Sequence, residues 1–159
     1  SIKVAGDEFD QAIIRYVKRV HNITLGDSMA ENVKKTIGCC CDIGETTFMD
    51  VKGRNLQTGM PASVRVSPDE RLPALAEPTA DIVNGVKGVL ERTPPELLGD
   101  IMKNGILFTG GGALLRGLDK LVEKNTGIPV KIADDAVSCV ANGTGIALEN
   151  LSSLINSHL

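Results

Sequence analysis

Tryptophan is absent from this chain of 159 residues, and three Phe and one Tyr are its only aromatic side chains. With so little ring surface, a core must be assembled from Ile, Leu, Val, Ala and Met. No stretch concentrates Lys and Arg, and the formal net charge is −3. A phosphate-tracking face is therefore not expected, and nucleic acid is excluded as a partner. No apolar run is long enough to span a bilayer, and no secretory leader opens the sequence. A cytoplasmic protein is expected. Cysteines are few: Cys39, Cys40, Cys41 and Cys139. Three adjacent thiols lack the spacing that lets two of them grip one metal ion, and neither His21 nor His158 stands near them. They read as reduced structural thiols rather than as a metal centre.

What is present is an ordinary globular composition, 42% hydrophobic and 23% charged. The length suits one domain, or two small lobes sharing a core. The chain opens at Ser1 directly in an alternating apolar stretch. Such an opening is expected of a stretch taken from the interior of a longer protein.

Punctuation divides the chain into elements. Ser1 to Val4 reads as the end of a strand. A helix follows over Glu8 to Val20, with Phe9, Ala12, Ile13, Tyr16, Val17 and Val20 on one stripe and Asp7 as its cap. Ser28 and Glu31 have the spacing of a capping box opening a second helix that stops at Gly38. Thr46 to Val51 and Ala62 to Val66 alternate as two antiparallel strands, with Gly53 and Asn55 in the irregular connection between them. Ser67-Pro-Asp-Glu70 starts another helix. Pro78 is expected to end it and to begin the next, which runs to Arg92. Thr93-Pro-Pro-Glu96 caps a further helix ending near Gly105. A buried strand, Ile106 to Thr109, leads into Gly110-Gly111-Gly112 and a helix from about Ala113 to Asn125. A strand at Val130 to Ala133 and a last helical region from about Val137, interrupted near Asn142-Gly143, complete the pattern. Helix, strand, helix, strand, helix favours a parallel or mixed sheet flanked by helices.

The glycine loop is the sharpest local feature. Without Cβ atoms its backbone can lie flat against a ligand, and the following helix aims free N–H groups at the same crevice. The spacing matches neither the Walker phosphate loop nor the dinucleotide fingerprint. Taken alone, three glycines after a strand are equally well a tight turn that needs small residues. Asp134-Asp135 could be read as paired carboxylates, but adjacent side chains point apart.

The flanks carry more information. "GILFTGGGALLRGLDKLVEKNTGIPV" resembles the adenosine-binding motif of the MreB family, the bacterial actin-like rod-shape proteins of MreB and Mbl type. "ERTPPELLGDIMKNG", "DDAVSCVANGTGIALENL", "VAGDEFDQAIIRYVKR" and "VKGRNLQTGMP" continue the match over nearly the whole chain. The resemblance implies an α/β fold, the second lobe of an actin-like ATPase. Residues 6–77 would be the smaller α+β subdomain IIB, and residues 1–5 and 78–159 part of subdomain IIA. "AENVKKTIG" is similar to the family's "AERVKIEIG", whose Glu-x-x-Lys face reaches the adenosine. This implies nucleotide contacts at Glu31, Asn32, Val33 and Lys34, facing Gly110, Gly111, Gly112 and Ala113. Glu31 would accept from ribose hydroxyls, and the Lys34 stem would pack along adenine with its ammonium outward. The family has Arg where Asn32 stands. The cysteine run also departs from the family, which has a longer, more polar segment there.

The family's ligand is ATP or ADP with Mg2+, cleaved by phosphate loops and a water-orienting acid that have no counterpart in these residues. The chain alone is therefore expected to bind nucleotide poorly and to hold no catalytic residue and no metal ligand. The family's partners would be further copies in a filament and the cell-wall elongation machinery, with membrane attachment through segments not found here. Two other readings remain: a non-enzymatic interaction module on the same fold, and a piece of a sugar kinase of the same superfamily.

Overall fold

The computed structural model describes residues 1–41, 44 and 47–150. Two sheets are present among them. Three antiparallel strands form the first, in the order β1 (Ile23–Thr24), β2 (Met49–Asn55), β3 (Pro61–Val66). Two parallel strands form the second, β4 (Ile106–Phe108) and β5 (Val130–Ile132), with Ile106 opposite Val130. Helices α1 (Gly6–His21), α2 (Asp27–Ile37) and α3 (Pro68–Leu90) pack around the first sheet. Helices α4 (Pro95–Asn104), α5 (Leu118–Thr126) and α6 (Cys139–Glu149) belong to the second half.

Of the expected apolar stripe of α1, Phe9, Ala12, Ile13 and Val17 are buried and Tyr16 is partly so, but Val20 is exposed because the end of the helix runs past the core. Phe9, Ile13 and Val17 join Ala30, Val33 and Ile37 of α2, Val51 and Val66 of the sheet, and Leu75 of α3. Core side chains of aliphatic type dominate, as the poverty in aromatics requires. Leu115, Leu118 and Val122 extend the same cluster toward α5.

Several expectations need correction. Residues 1–5 are not a strand, since no neighbouring strand among the described residues offers them a ladder. Helix α1 starts at Gly6 with Ala5 as N-cap, so Asp7 sits in the first turn and makes no cap. Helix α2 likewise starts early, with Gly26 at its N-cap and no side-chain cap bond. Ser28 and Glu31 therefore form no capping box. The strand expected from Thr46 has its first residue outside the described set and runs on through Gly53 to Asn55.

Pro78 does not end a helix. Helix α3 runs unbroken for 23 residues with Pro73 and Pro78 inside it. Pro78 has no N–H to give the preceding turn, but its ring is almost wholly buried, and the Thr79 hydroxyl donates to the Leu75 carbonyl. Packing outweighs the lost backbone bond. The helix therefore passes through the boundary that the resemblance implies between 77 and 78. Strand β4 is not buried: Leu107 is 63% exposed, because the two-stranded sheet leaves one face uncovered. After the glycines comes only a 3-10 turn, Gly111–Leu114, and α5 waits until Gly117 resets the chain in a left-handed conformation. Helix α6 runs continuously through Asn142-Gly143.

The start of α3 is the capping box that its sequence announces. The Ser67 N–H donates to Glu70 Oε2 at 2.7 Å, and His21 Nε2 lies 2.5 Å from Glu70 Oε1. Burial pushes the Glu70 carboxyl up, but the Ser67 N–H, His21 and the Ser67 hydroxyl together hold it below the ordinary value. A carboxyl lowered in the folded chain contributes stability that is complete above its unfolded value and is lost as pH falls through the folded one. Glu70→Ala is expected to cost about 1 kcal/mol near neutral pH. Urea unfolding should show the gap to the parent closing below the ordinary glutamate range. A gap that stays constant into acid would mean that the carboxylate charge plays no part.

Candidate functional site

Helix α1, helix α2 and the glycine loop meet around one cleft of about 1060 Å³. Each wall follows from a local feature. The first turn of α1 has no side-chain cap, so Gly6 and Asp7 present backbone N–H groups and the positive end of a 16-residue helix. The outer face of α2 contributes Glu31, Lys34 and Lys35. The glycine loop contributes Gly111 and Gly112, where an added Cβ would meet nothing within 4 Å. No packing within the chain requires the absence of a side chain at these two positions.

Four of the eight expected contact residues line the cleft: Glu31, Lys34, Gly111 and Gly112. The other four do not present side chains to it. Val33 is buried in the core and anchors α2. Asn32 faces out and accepts a hydrogen bond from the Thr36 hydroxyl at 3.1 Å. Ala113 is buried beneath the 3-10 turn. Gly110 makes the turn itself, with φ of 82° and its N–H donated to the Ala136 carbonyl at 2.6 Å.

Glu31 and Lys34 behave differently from each other. Glu31 is exposed, and a hydrogen bond from Lys35 holds its carboxyl below the ordinary value. It stands ionised at neutral pH as an acceptor on the rim. Lys34 does not send its ammonium outward as expected. Its Nζ donates to Asp10 Oδ2 at 2.8 Å and to the Gly6 carbonyl at 2.9 Å. The lysine thus joins α2 to the uncapped start of α1 across the cleft floor.

Two lining residues were invisible to motif reading. One is Asp10, which looks like any polar residue on an amphipathic helix. The other is Arg116, whose Nη2 donates to the Thr36 carbonyl at 2.9 Å and whose Nε donates to the Gly38 carbonyl at 3.3 Å. Its own carbonyl accepts the Cys40 N–H at 2.9 Å. Arg116 therefore ties the glycine loop to the end of α2, holding two walls of the cleft together. Its acceptors lie 80 and 78 residues upstream, so no local spacing reveals them.

The cysteine run sits at this junction. Cys39 is buried, and its thiol donates to the Cys41 carbonyl at 2.7 Å. Burial first, then the neighbouring thiols, push Cys40 up to about 12. A thiol so raised is a packing group and not a nucleophile at neutral pH. Among the described residues no three His, Cys, Asp or Glu side chains gather as a metal site.

The chemistry on offer is recognition. Glu31 accepts from hydroxyl groups, the bare glycines admit a flat face, and the start of α1 suits an anion. The unfilled Cβ positions of Gly111 and Gly112 leave room for a flat group to lie against backbone.

The family model described as MreB/Mbl protein matches residues 1–156. The cell shape-determining protein Mbl of Bacillus cereus is 44% identical over 154 residues, 97% of this chain and 46% of that protein. The cell shape-determining protein MreB of Escherichia coli is 46% identical over 149 residues, 94% of this chain and 43% of that protein. The chain thus spans less than half the length of these relatives. Among solved structures, MreB5 of Spiroplasma citri bound to AMPPNP superposes with a TM-score of 0.91 at 40% identity, covering 99% of this chain and 47% of that one. The same protein bound to ADP also superposes at 0.91. A MamK double helical filament shares the fold, with a TM-score of 0.71 at 20% identity over 86% of this chain and 42% of that one.

Proposed function

Because this chain belongs to the MreB/Mbl protein family, we propose that it is the second lobe of an actin-like, filament-forming protein that determines cell shape, and that it supplies the adenosine wall of an ATP site. The α/β architecture is that of the actin-like lobe. One observation carries the reading: Glu31 and Lys34 of α2 converge with Gly111 and Gly112 on a single cleft. The α2 pair and the glycine pair are 77 or more positions apart in sequence, counted from Lys34 to Gly111, and only the fold brings them together. The relative MreB5 is bound to AMPPNP and to ADP in its structures, which supports the same ligand here.

In this reading residues 6–77 form subdomain IIB, and residues 1–5 with 78–159 form part of subdomain IIA. Helix α3 crosses between them as one rigid rod. Glu31 takes ribose hydroxyls, the glycine backbone faces the base, and the first turn of α1 lies toward the phosphates. Mg2+ would arrive with the phosphates, which would hold it together with one or two carboxylates and water. The filament would work with the cell-wall elongation machinery at the inner face of the membrane. Among the described residues no helix is long and apolar enough to cross that membrane.

The test is a titration of the isotope-labelled chain with AMPPNP, followed by amide shifts, a method that registers even millimolar binding. Shifts are expected at α2 and the glycine loop, with affinity weaker than micromolar because one wall of the site binds alone. Purified chain is expected not to hydrolyse ATP. Turnover by the chain that disappears in a Gly111 variant would overturn the division of labour, and shifts confined to other surfaces would overturn the site.

A further inference from the structure

Asp10 is the anomaly of the cleft. Its residue exposure is only 9%, and it lies on α1 facing α2. One oxygen, Oδ2, is taken by the Lys34 ammonium. The other, Oδ1, is buried and has no hydrogen-bond partner among the described residues. A buried carboxylate that leaves one oxygen unsatisfied is costly, and a well-packed apolar residue of similar volume would serve stability at least as well. Asp10 sits within a core stripe otherwise made of Phe9, Ile13 and Val17. Its presence there calls for a reason other than packing.

Lys34 provides the reason. A lysine stem is flexible, and an ammonium near water ordinarily samples many positions. Here it is fixed between two acceptors, Asp10 Oδ2 and the Gly6 carbonyl, with only 16% of the side chain exposed. Both the lysine and its two acceptors line the cleft. A fixed cation at the floor presents a defined surface to whatever lies against α2, and ordering it in advance lowers the cost of binding.

We propose that Asp10 is a positioning residue for the nucleotide site: it acts through Lys34, holding the lysine in the arrangement that receives the adenosine. The inference rests on the ATP-site reading given above. Asp10 need not touch the ligand. Its charge fixes the lysine, and the lysine forms the surface.

The test is a double-mutant cycle on AMPPNP affinity, read from amide shifts of the labelled chain. Asp10→Asn keeps the shape and removes the charge. Asp10→Leu, an apolar replacement, serves if the amide fails to fold. Lys34→Met removes the ammonium but keeps the stem. Each single change is expected to weaken binding roughly tenfold, the scale of one charge-assisted hydrogen bond. In the Lys34→Met background, a change at Asp10 should have no further effect. A purely structural role would instead lower the melting temperature and weaken binding by the same factor with or without Lys34. If the two effects simply multiply, or if Asp10→Asn binds like the parent while Lys34→Met does not, the positioning role is wrong and the site reading stands. If the parent shows no nucleotide shifts at the cleft, both fall.

Discussion

Gly112→Val is expected to eliminate detectable nucleotide binding while leaving the melting temperature of the chain within a degree or so of the parent. The two halves of that result have separate causes. A Cβ built at Gly112 meets no protein atom within 4 Å, and Gly112 is not among the glycines with positive φ. The chain therefore accepts a Cβ at this position without positive-φ strain and with open space around it, into which the valine methyls would extend. The space it enters is the cleft, where the ligand's flat face would lie. Two methyl groups there hold a ring off the backbone by more than a van der Waals contact, which forfeits most of the dispersion energy and any hydrogen bond to the loop. Amide-shift titration with AMPPNP and a thermal melt measure the two halves. Unchanged binding would move the nucleotide away from this loop. A large loss of stability would mean that the glycines are there for the fold.

Gly53→Ala should give the opposite outcome: a large loss of stability, about 3 kcal/mol, with no role at the cleft. Strand β1 pairs with β2 so closely that an added Cβ at Gly53 runs into the Thr24 carbonyl oxygen, and it would lie 2.6 Å from Ile23 Cγ2 and 3.0 Å from Leu25 Cδ2. The carbonyl is backbone and cannot step aside without breaking the β1–β2 ladder. Ile23 and Leu25 are both core residues, so they cannot rotate away without opening a void. Urea unfolding measures the cost, and a loss below about 0.5 kcal/mol would show that β1 is free to shift. The contrast between the two glycines is informative because both are open to the same sequence-level interpretation, that of a loop residue.

Much of the fold was legible in the sequence. The stripe of α1, the hairpin strands, the capping box at Ser67 and Glu70, the stop at Gly105 and the parallel pair β4–β5 all follow from periodicity and turn chemistry acting locally. The failures have identifiable causes. Pro78 reads as a helix breaker, yet burial of its ring and the Thr79 hydroxyl keep α3 whole. Gly53 reads as a turn, yet it lies inside a strand that another strand crosses at close range. Ser28 and Glu31 read as a capping box, yet α2 begins at Asp27 with Gly26 as its cap, two residues ahead of that expectation, and Glu31 turns to Lys35. At Pro78 and Gly53 tertiary packing overrode local preferences of about 1 to 3 kcal/mol, whereas at Ser28 the helix simply began earlier in the chain.

The site divides along the same line. The sequence by itself determined the family, and it offered the glycine loop and the Glu-x-x-Lys face of α2 as parts of the proposed site, because these are short motifs legible from local spacing. It could not determine which of the eight expected residues reach the cleft, since that depends on how α2 is rotated about its axis: Val33 points into the core and Lys34 into the floor. Nor could it reveal Asp10 beneath Lys34, or Arg116 across the end of α2. Those pairings join residues far apart in the chain, and no local energy favours them. Only the packing of α1 and the glycine loop against α2 puts the charges within reach of one another, and so only the tertiary structure decided how the walls of this cleft are built.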